Sequence, residues 1–436
     1  MESVNIPLLI ILFILFGLII ISYSFSKLDF VAISLLSCFI AATITALNIE
    51  GSDIGFFINS IEWEAIIIIL SMSIITKIAQ DSNILEYLAV KLFKISRGNQ
   101  RTFFYLLCTI TTLLAAIISD VVVVLILAPV VIRLCHFLKI RSGSYLLGMT
   151  ICINIGSIIT PFSSGENIII STAFNLDTGF FIFYFWAFSF FLLFLTIFLL
   201  DRKIIGKEPK IEEQQKKVVL ELIDADIMIK NKKIFYFNAI AIIITIVLFV
   251  ILPWLYLTAA ISALIMVLVN RKYTKTKMSD MLRDIEWEII FFFIALYVLI
   301  GCLIKAGFQE IFNGIPFNSF DIFLVAVFIL LIVSGLSGFV ANTPTALIFI
   351  PIIESLINKW GFSPIPLLFA LIIGINLGGN FLPQGAACDM MTLKIAQNSG
   401  VENLNIKRLG KNGALFAGVH IGVSIIFLII LTILFG

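Results

Sequence analysis

Apolar runs of membrane-spanning length, parted by short polar stretches, fill most of this chain. Ten of them, at 5–22, 28–48, 62–79, 144–174, 179–200, 234–252, 254–269, 286–304, 364–398 and 412–436, read as crossings. Their lengths are near or above the ~18 residues that a helix needs to span a hydrocarbon core about 30 Å thick. Two further runs, 102–136 and 320–357, break near their middles, at Ser119-Asp120 and between Ser337 and Pro344. Runs 144–174 and 364–398 are interrupted as well, by GSIITPFSSGEN and GGNFLPQGAACD. Glycine, proline and polar groups are tolerated at membrane depth only where protein or a water-filled cavity covers them. Period-2 segments of about ten residues are missing, which argues against an outer-membrane barrel. The pattern predicts an all-α polytopic membrane protein with about ten crossings, two re-entrant hairpins, and helices broken at the midplane.

Composition agrees. Of 436 residues, 61% are hydrophobic and 13% charged, against about 45–50% and about 25% in soluble domains. The net charge of +2 gives no nucleic-acid signal. Position matters more than sum. Basic residues gather at Lys27, from Lys91 to Arg101, from Arg133 to Arg141, through 201–233, from Arg271 to Arg283, and from Lys407 to Lys411. Placing these groups in the cytoplasm satisfies the positive-inside rule. Both termini and 49–60 then lie outside, 102–136 is a hairpin entered from the cytoplasm, and 320–357 is one entered from outside. The expected setting is the cell (plasma) membrane, with 201–233 as a cytoplasmic linker between units 1–200 and 234–436. The first run, 6–21, lacks the basic flank of a secretion signal and reads as a retained helix. Six single cysteines without a CxxC pair suggest neither a zinc site nor a disulfide framework.

The word IEWE stands at 61–64 and again at 285–288, each time at the mouth of an apolar run. A shift of 222 then aligns Pro129 with Pro351, Ile153-Asn154-Ile155-Gly156 with Ile375-Asn376-Leu377-Gly378, Pro161 with Pro383, and Asn167 with Asp389. A duplicated unit of five crossings and one hairpin has an odd number of crossings, so its copies are antiparallel. Inverted-topology repeats with interrupted helices are a signature of secondary transporters. Trp63 and Trp287, within the repeated word, read as interface anchors.

Each unit supplies one hairpin tip and one helix break. The candidate substrate- and ion-binding residues are Ser119 and Asp120 at the first tip, and Asn342 and Thr343 at the second. The first break adds Asn154, Thr160, Ser163, Ser164, Glu166 and Asn167; the second adds Asn376, Asn380, Gln384 and Asp389. Gly156, Gly165, Gly378, Gly379 and Gly385 let backbone approach an ion closely. Broken helices offer amides to anions and carbonyls to cations. Carboxylates at membrane depth cost several kcal/mol unless paired or hydrated. Asp120, Glu166 and Asp389 therefore read as holders of a coupling ion or proton, with helix capping as the structural alternative. Na+ near Asp120 and Asn342, or H+, is the expected coupling ion; no resident metal and no other cofactor is expected. Lys77 and Lys394 read as snorkelling side chains, and His136 and His420 as packed ones.

The segments SDVVVVLILAPVV, GFVANTPTALIFIPII, INIGSIITPFSSGENIIISTA and INLGGNFLPQGAACDMMTLKIA resemble the ion transporter superfamily. That group includes arsenite permeases, NhaD-type sodium/proton antiporters, the melanosomal P protein and divalent-anion/sodium symporters. The resemblance implies a scaffold and a transport domain, a homodimer, and an elevator motion. In the symporters both tips carry Ser-Asn-Thr. Here the second keeps Asn342-Thr343 after Ala341, but the first reads Ser119-Asp120-Val121, closer to the arsenite and antiporter branches. Glu166-Asn167 replaces the usual Pro-Asn after the first break. The leading expectation is a secondary transporter of a small inorganic ion or oxyanion, arsenite-permease-like. Sodium/proton exchange and sodium-coupled dicarboxylate symport are the alternatives. An intramembrane serine protease built on Gly335-Leu336-Ser337-Gly338 and His420 is remote, and an enzyme is not expected. Without a GxxxxGK[ST] loop, ATP-driven transport would need a separate ATPase subunit.

Overall fold

The structure, a computed structural model, describes residues 5–24, 28–209, 226, 229, 231–252, 254–274, 278–283, 285, 287–314, 320–340 and 342–436. Lys27, most of the linker, Lys275, Lys277, Glu286 and Ala341 lie outside the described residues. The first half of the chain runs through α1 (Ile6–Ser24), α2 (Phe30–Asn48), a short α3 (Ile54–Asn59), α4 (Trp63–Asp81) and α5 (Ile84–Ile95). A hairpin of α6 (Gln100–Ala115) and α7 (Asp120–Phe137) follows, then α8 (Gly143–Gly156), α9 (Gly165–Ala173), α10 (Thr178–Tyr184) and α11 (Trp186–Lys203). The second half holds α12 (Lys232–Ile251), α13 (Leu255–Thr274), a short α14 (Met278–Arg283) and α15 (Trp287–Lys305). It continues with the hairpin α16 (Ile322–Val340) and α17 (Asn342–Asn358), then α18 (Pro364–Gly378), α19 (Ala387–Asn398) and α20 (Ile406–Phe435). Every regular element among the described residues is a helix.

Local chemistry explains many of these boundaries. Asp29, Asp53, Asn99 and Asp177 each accept an amide three residues on, at 2.8–3.0 Å, and so cap the starts of α2, α3, α6 and α10. Pro364 opens α18, where its missing N–H costs nothing. The repeated word has a structural role. Trp63 and Trp287 are the first residues of α4 and α15, and each indole N–H donates to a carbonyl five residues back, on Ile58 and Leu282. Each tryptophan therefore pins a six-residue helix to the start of a long one.

Among the described residues, ten helices are long and apolar enough to cross a membrane, or eleven if the pair Thr178–Tyr184 and Trp186–Lys207, bent by 54°, is one span. This set differs from the one read off the sequence. It includes the hairpin arms α7 and α16 and leaves out the 14-residue α8. Length cannot tell an arm from a crossing, because α7 has 18 residues yet begins at a polar cavity.

Packing contacts come in matching pairs. α1 packs on α2 as α12 does on α13, and α2 on α15 as α13 does on α4. Hairpin arm α6 packs on α8 as α16 does on α18, and α7 on α19 as α17 does on α9. Two glycines permit the closest of these approaches. A Cβ on Gly156 would strike the Thr112 carbonyl, and one on Gly378 would strike Ser334; both pairs stand 222 residues apart in the chain.

Candidate functional site

The two hairpin tips meet. A cavity of about 360 Å³ is lined by Ser119 and Asp120 from the first tip, Asn342 and Thr343 from the second, and Ser163 to Glu166 from the first break. It is lined as well by Ser73, Thr76, Lys77 and Gln80 of α4 and by Phe292 and Phe293 of α15.

Asn342 Nδ2 donates to Glu166 Oε1 at 2.8 Å, joining the second tip to the first break. Ser337 holds that amide from behind, its Oγ lying 2.6 Å from Asn342 Oδ1 and 2.7 Å from the Ile375 carbonyl. Asp120 Oδ1 accepts the Val121 amide at 2.8 Å and the Ser119 hydroxyl at 3.5 Å, so this carboxylate helps start its own helix while facing the cavity. Position at a helix start favours negative charge there. Asp120 also lies close enough to Glu166 and Asp389 for direct Coulomb interaction. Among the described residues no ion pair neutralises any of the three acids. No group of three metal-ligating side chains is found among them either.

The sequence expected both breaks to share the site, and the structure brings them to the cavity unequally. The second break gives the cavity only Gly385 and Ala387. Gln384 is exposed and away from the cavity. Thr160 and Asn167 are spent on the break itself. Thr160 Oγ1 donates to the Ala116 carbonyl at 2.6 Å, and Asn167 Nδ2 donates to the Ser157 and Thr160 carbonyls at 2.6 and 3.1 Å. Ser163 caps the same two carbonyls while reaching the cavity edge. An interrupted helix leaves carbonyls unpaired, and burial makes pairing them obligatory. The polar residues at the interruption supply that pairing.

Asn154, Asn376, Asn380 and Asp389 are each about 1% exposed and form a sealed layer beneath the cavity. Asn376 Nδ2 donates to Asn167 Oδ1 at 2.8 Å, and Asn154 Nδ2 donates to Asn380 Oδ1 at 2.8 Å. Asp389 Oδ1 accepts the Thr150 hydroxyl at 2.6 Å, and Cys388 Sγ lies 3.1 Å from Asn154 Oδ1. Asn154 and Asn376, like Asn167 and Asp389, stand 222 residues apart in the chain. Of the other break glycines, Gly385 faces the Gly379 carbonyl with no room for a Cβ, while at Gly165 and Gly379 the Phe293 ring and the Asn342 amide would have to shift.

Lys77, read in the sequence as a snorkelling side chain, also lines the cavity, 3.4 Å from Asp81. The signal was available: Ser73, Thr76, Lys77 and Gln80 recur at helical spacing on one face. The protease dyad is not assembled, since Ser337 is tied to Asn342 and His420 Nε2 lies 2.9 Å from Thr196 Oγ1. A second cavity, of about 330 Å³, lies across α9 and is lined by Glu62, Glu354, Tyr297 and Lys305.

With this geometry in hand, comparison with known proteins is informative. The chain matches the family described as "Citrate transporter" (CitMHS) over residues 10–334 and 317–436. It is 24% identical over 410 residues to the uncharacterized transporter MT2759 of Mycobacterium tuberculosis, covering 91% of this chain and 93% of that one. It is 23% identical over 446 residues to the human P protein, covering 82% of this chain but only 52% of that longer protein. Among solved structures, the YdaH transporter of Alcanivorax borkumensis superposes with a TM-score of 0.61 at 10% identity, covering 87% of this chain and 86% of that one. This last likeness speaks to fold alone.

Proposed function

This chain belongs to the citrate transporter (CitMHS) family, and we propose that it is an ion-coupled secondary transporter of small polycarboxylate anions of the citrate class. The observation that carries the proposal is the convergence of Asp120, Glu166 and Asn342 on one cavity. Two carboxylates with no ion-pair partner among the described residues repel an anion until a cation or proton neutralises them. Coupling-ion binding, Na+ or H+, therefore comes before anion binding, and an empty site does not carry the anion alone. Hydroxyls and amides of the tips then hold the anion. The volume suits such a ligand, since binding pockets for small organic molecules run from about 300 to 1,000 Å³.

The sequence put arsenite first. The family match and the size of the cavity move a carboxylate ahead of it. We read the wall bearing the tips and the first break as the part that moves, and the wall of α4 and α15 as the fixed part, an elevator within a homodimer. The inverted repeat belongs to the same proposal; the paired packing contacts and paired tryptophan bonds support it. The orientation given by the basic residues would make the α4 end near Gln80 cytoplasmic. Sodium/proton exchange is the second reading, favoured by three acids that have no ion-pair partner among the described residues.

Proteoliposomes with imposed Na+ or pH gradients test these readings against each other. Labelled citrate and succinate should enter only with a gradient. Arsenite uptake, or sodium/proton exchange with no carboxylate flux, would overturn the proposal in favour of the corresponding alternative.

A further inference from the structure

We propose that the end of α11 and the start of α20 form a binding surface for an anionic phospholipid: Arg202, Lys203, Lys207 and Lys411 hold the headgroup phosphate, and the outward aromatic face of α11 receives the acyl chains. This surface stands apart from the transport cavity and does not depend on which solute the cavity carries.

The charges are brought together by two antiparallel helices. The rings of Phe188 and Phe427 lie 5.2 Å apart between centres, and Thr196 Oγ1 lies 2.9 Å from His420 Nε2. Lys203 follows Thr196 by seven residues, and Lys411 precedes His420 by nine. At about 1.5 Å per helical residue, both stand about 10–14 Å beyond that bond, at one level. Lys203 is near enough to Lys207 and Lys411 for direct Coulomb repulsion, and Arg202 adds a fourth charge. The acids nearby are committed elsewhere. Asp201 pairs with Arg101 at 3.3 Å and accepts the Tyr105 hydroxyl at 3.4 Å. Glu208 accepts the Ser144 hydroxyl at 2.5 Å and faces Arg408 at 3.9 Å. None of the four basic side chains has an ion-pair partner among the described residues. Like charges gathered without an acid between them repel, and a phosphate set among them removes that repulsion.

The adjoining face identifies the anion as a lipid. Phe191, Phe194 and Phe198 are 59%, 60% and 45% exposed, and they share one helical face with Arg202. The Arg202 guanidinium carbon lies 4.7 Å from the centre of the Phe198 ring, so the aromatic stripe runs directly into the charge. In a membrane the stripe meets hydrocarbon. A phospholipid presents the same order, acyl chains and then phosphate, whereas a soluble phosphate would use only the charged end. The basic residues place this end of α11 in the cytoplasm, where basic clusters beside a span attract anionic lipid.

The test uses the full chain, purified in detergent, with phosphatidylglycerol, phosphatidylcholine or glycerol 3-phosphate added. Native mass spectrometry reads bound lipid, and thermal unfolding reads stabilisation. Phosphatidylglycerol should be retained in preference to phosphatidylcholine and should raise the melting temperature. Glycerol 3-phosphate at equal concentration should not. Each lysine removed should weaken phosphatidylglycerol binding by about fivefold, and Lys203→Gln, Lys207→Gln and Lys411→Gln together by about 100-fold. The pair Arg271→Gln and Lys272→Gln, at the end of α13, should bind it as the wild type does. Wild-type binding in the triple variant overturns the proposal. So does an equal loss in the Arg271 and Lys272 pair, which would make the effect one of net charge. Stabilisation by glycerol 3-phosphate as large as that by phosphatidylglycerol would make this a free-anion site and overturn the lipid assignment. A triple variant that changes oligomeric state on size exclusion while its lipid binding is unchanged would give the surface to a second copy of the chain, and overturns it too. If the triple variant does not fold, Arg202→Gln and Lys411→Gln singly decide by the same measurements.

Discussion

Asp120 has two roles that one substitution can separate. Its Oδ1 holds the Val121 amide, and its carboxyl faces the cavity. Asparagine keeps an oxygen for the amide but carries no charge. Asp120→Asn should therefore fold and elute as the wild type does, while gradient-driven uptake falls by about 100-fold or more if the charge binds the coupling ion. Wild-type flux in that variant would reduce Asp120 to a helix cap. Ser337 gives a graded result. It supports Asn342 at 2.6 Å. Ser337→Ala should cost about 1–3 kcal/mol of stability and weaken anion affinity through Asn342, as seen by thermal unfolding and by KM. The acids and asparagines of the site were legible because charge and amides are rare in apolar runs. Their division of labour was not. Thr160 and Asn167 look like ligands in sequence, and only the positions of the Ser157, Thr160 and Ala116 carbonyls show that they serve the backbone.

At the scale of elements, the glycine contacts make the sharpest prediction. Gly156 and Gly378 sit where α8 and α18 press on the first arms of the two hairpins. Adding a methyl group at either forces backbone apart, and overpacking typically costs about 1–3 kcal/mol. Gly156→Ala and Gly378→Ala should both lower the melting temperature and the citrate flux, whereas Gly418→Ala, which meets nothing within 4 Å, should do neither. Helix breaks were legible because proline, glycine and polar residues interrupt hydrophobic runs. The cavity-lining face of α4 was not, because a threonine and a lysine near a helix end also fit a snorkelling pattern, and only the structure brings them to the cavity that the hairpin tips line.

For the whole molecule, a ligand that binds only the native state stabilises it, by about 2.7 kcal/mol at a hundredfold excess over Kd. Citrate should raise the melting temperature only when the coupling ion is present; stabilisation by citrate alone would contradict the order of binding proposed above. All six cysteines are buried and unpaired, so the native chain should react little with a membrane-impermeant maleimide. A single added thiol, Gln80→Cys, should then be labelled from one side of the membrane and protected by citrate. Labelling from the opposite side would reverse the orientation inferred from the basic residues.

The bond from Asn342 to Glu166 spans the two halves of the chain. The two partners are encoded 176 residues apart. A chimera that takes only one half from a distant relative would break this bond unless the incoming half supplies a matching partner. A change at either position therefore calls for a matching change at the other.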